Sequence, residues 1–175
     1  MLYSHHQTLQ NLLVAKNWQE ADLETKRLTF QINSEDLNID SGLSVRKALI
    51  PKIKAFSTEE LEEIDRLWVE HSNGHFGFSI QWQSYQDILA EEKELGKAVK
   101  EKYLIGGRWT SMAALAIVLG WLSNGAAEWS FDRETIYAID APKGHLPTVG
   151  KQELGCAFHH GYLLSWFFSN LYPDY

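Results

Sequence analysis

The chain is poor in cysteine, in net positive charge and in long apolar runs, and each shortage excludes a class of protein. Its 175 residues include a single cysteine, so no internal disulfide and no zinc site built from several cysteines can form. A reducing compartment is therefore the natural expectation. The formal net charge of −7 argues against nucleic acid as a partner, because a nucleic-acid interface requires a basic face. It also argues against loose attachment to an anionic membrane surface.

The longest apolar run, Met112 to Leu122, is too short to cross a bilayer, which requires about 20 apolar residues. The first residues also lack the charged and then apolar layout of a signal peptide. We therefore predict that this run forms a buried helix, and we expect no transmembrane segment.

Apolar residues recur at helical spacing along much of the chain. The pattern predicts a helical hairpin that turns near Lys16-Asn17. A capping box at Ser57 to Glu60 predicts the start of a further helix, and Asn73-Gly74 supplies its left-handed stop. Ser79 is expected to cap the next helix, and an apolar helix is predicted from Trp109 to Leu122.

Period-2 alternation is too short anywhere in the sequence to predict an all-β domain. Ile136 to Ile139 is a short β-like patch that is too isolated to build a sheet. We therefore predict an all-α fold, a compact bundle of several short helices. The helical domain is expected to span residues 1–147, and an aromatic-rich tail, residues 148–175, is expected to follow it and to be able to pack on it.

Three segments, taken in order, carry a resemblance to a known family. The first runs from Leu9 to Thr25, and the second joins Ile64–Trp68 to Ser72–Gln81. The third contains Gly120-Trp121, then Trp129, then Asp140–Pro147. The second segment, in order with the other two, is hard to produce by chance. The chain resembles the genomes-uncoupled-four family of tetrapyrrole-binding proteins.

This resemblance implies a non-enzymatic protein with a shallow apolar concave face on a helical bundle. The expected ligand is protoporphyrin IX or Mg-protoporphyrin IX, or alternatively a linear bilin, and the expected partner is a magnesium chelatase subunit in chlorophyll biosynthesis. The expected location is the cytoplasm or the plastid stroma, or the periphery of photosynthetic membranes. The predicted ligand-binding residues are Phe76, Phe78, Trp121, Asn124, Trp129 and Arg133.

Each predicted residue also has a purely structural interpretation. Phe76 and Phe78 form either two core rings in a tight turn or a flat wall for a macrocycle. Trp121 and Trp129 flank a loop of small residues, which favours ligand contact. Asn124 can offer an oxygen to a chelated magnesium, although a turn residue is the stronger interpretation.

The sequence departs from the family pattern at several places. His75 stands where the family pattern leads us to expect arginine, and the loop at 123–128 lacks basic residues that would meet porphyrin propionates. The apolar helix before Gly120 is longer than expected, and the tail lies outside the match. Arg133 and Lys143 remain candidates for propionate contact. Burying several hundred Å² of an apolar macrocycle at about 25 cal/mol per Å² contributes several kcal/mol, whereas an exposed ion pair contributes only about 0.2–1 kcal/mol. We therefore expect the missing cations to alter carboxylate recognition without abolishing binding.

Other chemistry is weakly supported by the sequence. The pairs His5-His6 and His159-His160 are poor chelates, because adjacent helical histidines point to different sides, and we predict no metal site. Cys156 lies near His159, but no third orienting group is evident. Asp65 is expected to have a structural role. Two alternatives to a porphyrin carrier remain open: a divergent bilin-binding member, and a protein-interaction module without a ligand.

Overall fold

The computed structural model describes residues 6–30, 57–102, 111–123, 134–149, 168–169 and 171–172. The helices of these ranges are α1 (Gln7–Val14), α2 (Trp18–Phe30), α3 (Thr58–His71), α4 (Phe78–Leu95), α5 (Lys97–Lys102) and α6 (Ser111–Val118). Contacts join α1 to α2 and α3, α3 to α4, and α4 to α5 and α6. The described residues contain no strand, and the prediction of an all-α bundle is confirmed.

The first two helices form the predicted hairpin. The turn between them contains Lys16 with a positive φ of 57°, and the Lys16 ammonium donates to the carbonyl oxygen of His71 at the end of α3. Leu9 and Leu13 of α1 are fully buried and face the core. The hairpin is therefore fixed both by its own turn and by α3.

The start and the end of α3 follow the sequence signals. The Ser57 hydroxyl accepts from the Glu60 amide at 3.2 Å, and the Glu60 carboxylate accepts from the Ser57 amide at 3.3 Å. The chain leaves the helix after His71 through Asn73, which has a φ of 55°. The predicted capping box and left-handed stop are both confirmed.

The prediction that Ser79 caps α4 is wrong, because α4 begins at Phe78 with Gly77 as its N-cap. Glycine has no side chain to cap the helix, and the side chain that serves the helix start comes from α3. The Asp65 Oδ1 atom accepts from the Ser79 amide at 2.9 Å, so the expected structural role of Asp65 is seen. A Cβ at Gly77 would lie 2.7 Å from Asp65 Oδ1 and 2.8 Å from Val69 Cγ2, so α3 and α4 approach too closely for a larger residue.

The apolar helix α6 ends earlier than predicted. It closes at Val118, and Gly120 takes a positive φ of 73° while the Trp121 amide donates to the carbonyl oxygen of Ala116. The predicted first residues of this helix, at 109–110, lie outside the described residues. Within the ranges that the structure describes, no helix combines the length and apolarity needed to cross a membrane.

Residues 134–149, called the strap below, follow α6 in the chain without forming a helix or a strand. Leu146 and Val149 of the strap are buried in a core shared with α1–α4. A second core lies between α4 and α6 and includes Phe168. The domain division at residue 147 stays a prediction, with Thr148 and Val149 buried on its far side.

Candidate functional site

The strap is attached to the start of α4 by buried hydrogen bonds. The Gln81 side-chain amide donates to the carbonyl oxygens of Gly144 and Pro147, both at 2.9 Å. The Gly77 amide donates to the Leu146 carbonyl oxygen at 3.0 Å. Gln81 is fully buried, so these bonds form away from water and fix the path of the strap.

His75 attaches the strap to the turn before α4. Its Nε2 lies 2.7 Å from the carbonyl oxygen of Ala141, and Nε2 is the donor because a carbonyl can only accept. The backbone adds a second link, since the Gly144 amide donates to the His75 carbonyl oxygen at 2.9 Å. The residue that departs from the expected arginine thus binds the strap backbone.

The end of the strap is held by a buried carboxylate on α2. Asp22 accepts from the Thr148 amide and from the Thr148 hydroxyl, both at 2.6 Å. The Lys26 ammonium lies 3.3 Å from the same carboxylate, and the side chains of Asp22 and Lys26 are 0% and 6% exposed. The hydrogen bonds of Asp22 thus join α2 to a residue 126 positions later in the sequence.

His145 connects the chain before and after the segment 124–133. Its Nε2 accepts from the Ile136 amide at 2.9 Å, so this nitrogen carries no proton, and Nδ1 donates to the Leu119 carbonyl oxygen at 2.7 Å. Trp121 adds a third link, because its indole N–H donates to the His145 carbonyl oxygen at 2.9 Å. A fully buried imidazole in one defined tautomer therefore sets the positions of Leu119 and Ile136.

A tyrosine of the strap lies in the field of the buried pair on α2. Burial raises the pKa of Tyr137, and the neighbouring Asp22 carboxylate raises it further, while Lys26 lowers it. The phenol is half-buried and packs against the first core. Tyr137 therefore stays neutral near pH 7 while its ring packs against the first core.

The strap exposes apolar surface on either side of Tyr137. Ile136 is 45% exposed and Ile139 is 51% exposed. Large exposed apolar side chains on a backbone that is otherwise hydrogen-bonded to the core are candidates for ligand contact. The sequence interpretation treated these residues only as a β-like patch. The sequence signal that could have drawn attention to them is two isoleucines close together in a segment without helical periodicity.

The predicted ligand-binding residues fall into two groups. Phe76 and Phe78 are fully buried in the first core, where Phe76 lies edge-on to Trp18 and Trp68. Trp121 is 1% exposed and belongs to the second core. The structure thus places these three rings behind the strap, and their contact with a ligand stays a prediction. The remaining predicted residues, Asn124, Trp129 and Arg133, lie outside the described residues.

The described residues offer little for metal or propionate binding. No group of three or more histidine, cysteine or acidic side chains comes together among them to hold a metal ion. Lys143 is exposed at the strap turn, whereas Lys26 is buried beside Asp22. Among these two lysines, Lys143 is therefore the one available to a ligand carboxylate.

The fold is similar to that of solved GUN4 structures. The chain aligns with the ligand-free structure of Arabidopsis thaliana GUN4 with a TM-score of 0.56 and 24% identity, over 94% of both chains. This likeness shows a shared fold. The GUN4-like family model matches residues 3–160, and the chain belongs to that family.

Relatives at higher identity are longer than this chain. A protein named tetrapyrrole-binding protein, chloroplastic, from Arabidopsis thaliana is 30% identical over 161 residues, which are 87% of this chain and 52% of that protein. The protein ycf53 of Porphyra purpurea is 31% identical over 159 residues, 89% of this chain and 56% of that protein. The chain thus spans about half the length of the curated relatives it matches.

Proposed function

We propose that this chain binds a tetrapyrrole, with protoporphyrin IX or Mg-protoporphyrin IX as the ligand, and that it acts as a carrier rather than as an enzyme. Membership of the GUN4-like family and the name of the Arabidopsis relative support the ligand class. We further propose that the carrier assists magnesium chelatase in chlorophyll biosynthesis, in the plastid stroma or the cytoplasm. A carrier that also binds the enzyme raises the local concentration of an apolar substrate.

One observation carries the proposal for the site. The segments that resemble the family come together at the strap: Gln81 from the second binds the third at Gly144 and Pro147, and Asp22 from the first binds Thr148, the residue that directly follows the third. Their side chains are buried, so they position the strap and do not contact a ligand themselves. What the strap then presents to solvent is Ile136 and Ile139.

We therefore propose that the macrocycle lies against Ile136 and Ile139. Phe76, Phe78 and Trp121 support this surface from behind, and Asn124, Trp129 and Arg133 remain proposed contacts. Burying the exposed half of each isoleucine contributes about 1 kcal/mol. Two such residues together account for a factor of at least about ten in affinity, since about 1.4 kcal/mol corresponds to tenfold.

The test is quenching of tryptophan fluorescence on titration with protoporphyrin IX, Mg-protoporphyrin IX, haem and biliverdin. We expect saturable quenching by a porphyrin and at least about tenfold weaker binding in the double variant Ile136→Ser, Ile139→Ser. Val14→Ser with Leu95→Ser is the matched control, because Val14 and Leu95 are 59% and 55% exposed on α1 and α4. Alanine variants of Phe78 or Trp121 are unsuitable, because emptying a core position costs about 3–5 kcal/mol of stability.

The outcomes separate function from site. No saturable quenching with any of the four tetrapyrroles would sink the carrier proposal and favour an interaction module. Tighter binding of biliverdin than of either porphyrin would favour a bilin-binding member. Saturable binding that the strap substitutions leave unchanged would refute the proposed surface alone. Chelatase activity measured with and without the chain tests the partner, and equal rates would refute it.

A further inference from the structure

The structure contains a groove of about 400 Å³ beside α3. One wall is α3, the end wall is the start of α4, and the opposite wall is formed by Leu171 and Tyr172 from the C-terminal region. None of the described residues that line it belongs to the strap. The groove is therefore a surface separate from the proposed tetrapyrrole site, and its role does not depend on that proposal.

The wall formed by the C-terminal region is held by aromatic stacking on α4. The rings of Tyr172 and Trp82 lie 5.2 Å apart with an interplanar angle of 8°. Phe168 packs on the same indole with a centroid distance of 4.9 Å and on Tyr85 at 5.7 Å. These contacts give the groove a fixed, mainly apolar side.

The polar lining of the groove is mostly acidic. Glu62, Asp65 and Glu70 contribute carboxylates, and Arg66 contributes the single cation among the described lining residues. Arg66 is already engaged, since its guanidinium binds Glu63 at 2.8 and 2.9 Å and Glu70 at 2.6 Å. The groove therefore presents unbalanced negative charge around an apolar wall.

The pKa values of two groups at the base of the groove, Asp65 of α3 and Tyr172 of the opposite wall, are shifted by this environment. Burial raises the pKa of Asp65, although the amides at the start of α4 act in the opposite direction. Burial and then the Asp65 charge raise the pKa of Tyr172 to about 12. Both shifts disfavour negative charge at the base. The Asp65 charge therefore disfavours an anionic ligand such as a porphyrin carboxylate there, whereas burial disfavours an unpaired charge of either sign.

We propose that this groove docks an arginine side chain from a protein partner. The walls match the two parts of that side chain, because its apolar stem can lie on Leu171 and Tyr172 while its guanidinium meets the carboxylates of α3. Arginine suits the site better than lysine, since a guanidinium is planar, weakly hydrated and able to stack on an aromatic ring. Acidic surfaces exclude nucleic acid and anionic lipid as occupants.

The test is an NMR titration of the full chain with the peptide acetyl-Gly-Leu-Arg-Leu-Gly-amide. The matched probe is the same peptide with citrulline, which keeps the shape of arginine and removes its charge. We expect saturable shifts of the Val69, Ser79 and Tyr172 amides with the arginine peptide, and at least about threefold weaker binding of the citrulline peptide.

A pair of charge variants locates the interaction. Glu62→Gln with Glu70→Gln should weaken the arginine peptide about three- to tenfold, because two carboxylates at the groove lose their charge. Glu94→Gln with Glu101→Gln is the control. It removes the same charge from exposed positions on α4 and α5 and, like the test pair, includes one member of an i,i+4 ion pair. The control should change affinity by less than about 1.5-fold, because salt screens charges beyond about 10 Å.

Several results would overturn the proposal. Shifts that are equal for both peptides would show an apolar groove without charge selection. Absence of shifts at millimolar peptide, or equal weakening by both variant pairs, would show that the groove binds no arginine. Shifts of the same amides that depend on protein concentration without peptide would assign the groove to a second copy of this chain.

Discussion

Replacing the buried carboxylate on α2 tests whether Asp22 holds the strap to the bundle. Asp22→Ala removes the acceptor of the Thr148 amide and hydroxyl and the carboxylate that lies 3.3 Å from the buried Lys26 ammonium. Breaking a buried ion pair from one side costs about 3–5 kcal/mol. Since a domain of this kind is stable by about 5–15 kcal/mol, this single change should remove a large share of the free energy of unfolding.

The assay is urea denaturation followed by circular dichroism, with amide hydrogen exchange at Thr148 as a local readout. The control is Glu24→Ala on the same helix, because Glu24 binds Arg27 at 2.6 Å in a pair whose guanidinium is 47% exposed and whose carboxylate is 11% exposed. Because the guanidinium stays in contact with water after the substitution, we expect a loss of about 1 kcal/mol. Asp22→Ala should also abolish exchange protection of the Thr148 amide, whereas Glu24→Ala should leave it intact.

A second substitution separates the buried charge from the lost hydrogen bonds. If the loss of the Asp22 charge beside the buried Lys26 ammonium is the main penalty, then adding Lys26→Met to Asp22→Ala should restore about 1 kcal/mol or more. A double variant less stable than Asp22→Ala, or a loss under about 1 kcal/mol for Asp22→Ala itself, would refute the reasoning. A double variant less stable than Asp22→Ala would mean that Lys26 contributes to stability mainly by packing.

Two further predictions concern the joint between α3 and α4 and the C-terminal region. Gly77→Ala should lower the free energy of unfolding by about 2–5 kcal/mol through overlap with Asp65 and Val69 at a φ of 137°. Gly74→Ala, where no atom lies within 4 Å of the added methyl, should lose only about 1–2 kcal/mol from its φ of 75°, and equal losses in urea melts would contradict the close approach. The raised pKa of Tyr172 stabilises the native state below pH 10, and this contribution is lost as the pH rises from 10.0 to about 12. Tyr172→Phe should therefore flatten the fall in stability over that window in pH-dependent melts, and identical slopes for both proteins would exclude the effect.

Local signals predicted local structure well. The capping box at Ser57 and Glu60 and the turn at Lys16 depend on residues within one helical turn, and both are present. The cap of α4 could not be read in this way, because Ser79 has the right residue type but the acceptor that serves the helix is Asp65, 14 positions earlier. The early end of α6 has a different, local cause, since apolar residues continue through Leu122 while the backbone turns at Gly120.

The candidate site was harder to predict because its contacts are remote in sequence. Asp22 and Thr148 are 126 positions apart, and Gln81 and Gly144 are 63 apart. The family resemblance covers Asp22, Gln81 and Gly144 but not Thr148, and it does not indicate which of these residues meet. The sequence predicts Phe76 and Phe78 as ligand contacts, whereas both rings are fully buried in the core of this structure. Burial of large rings is the common outcome, and a sequence alone does not tell a core ring from an exposed one.

The irregular backbone of the strap explains why polar residues occupy buried positions that apolar residues usually fill. Asp22, Gln81 and His145 each satisfy backbone groups of a segment that has no helix or strand of its own. An irregular segment leaves its amides and carbonyls unpaired, and burying them without partners costs about 1–3 kcal/mol each. Side chains with directional bonds meet that requirement and also fix one backbone path. The strap can then present Ile136 and Ile139 to solvent in a defined position, which is what a rigid surface for a flat apolar ligand requires.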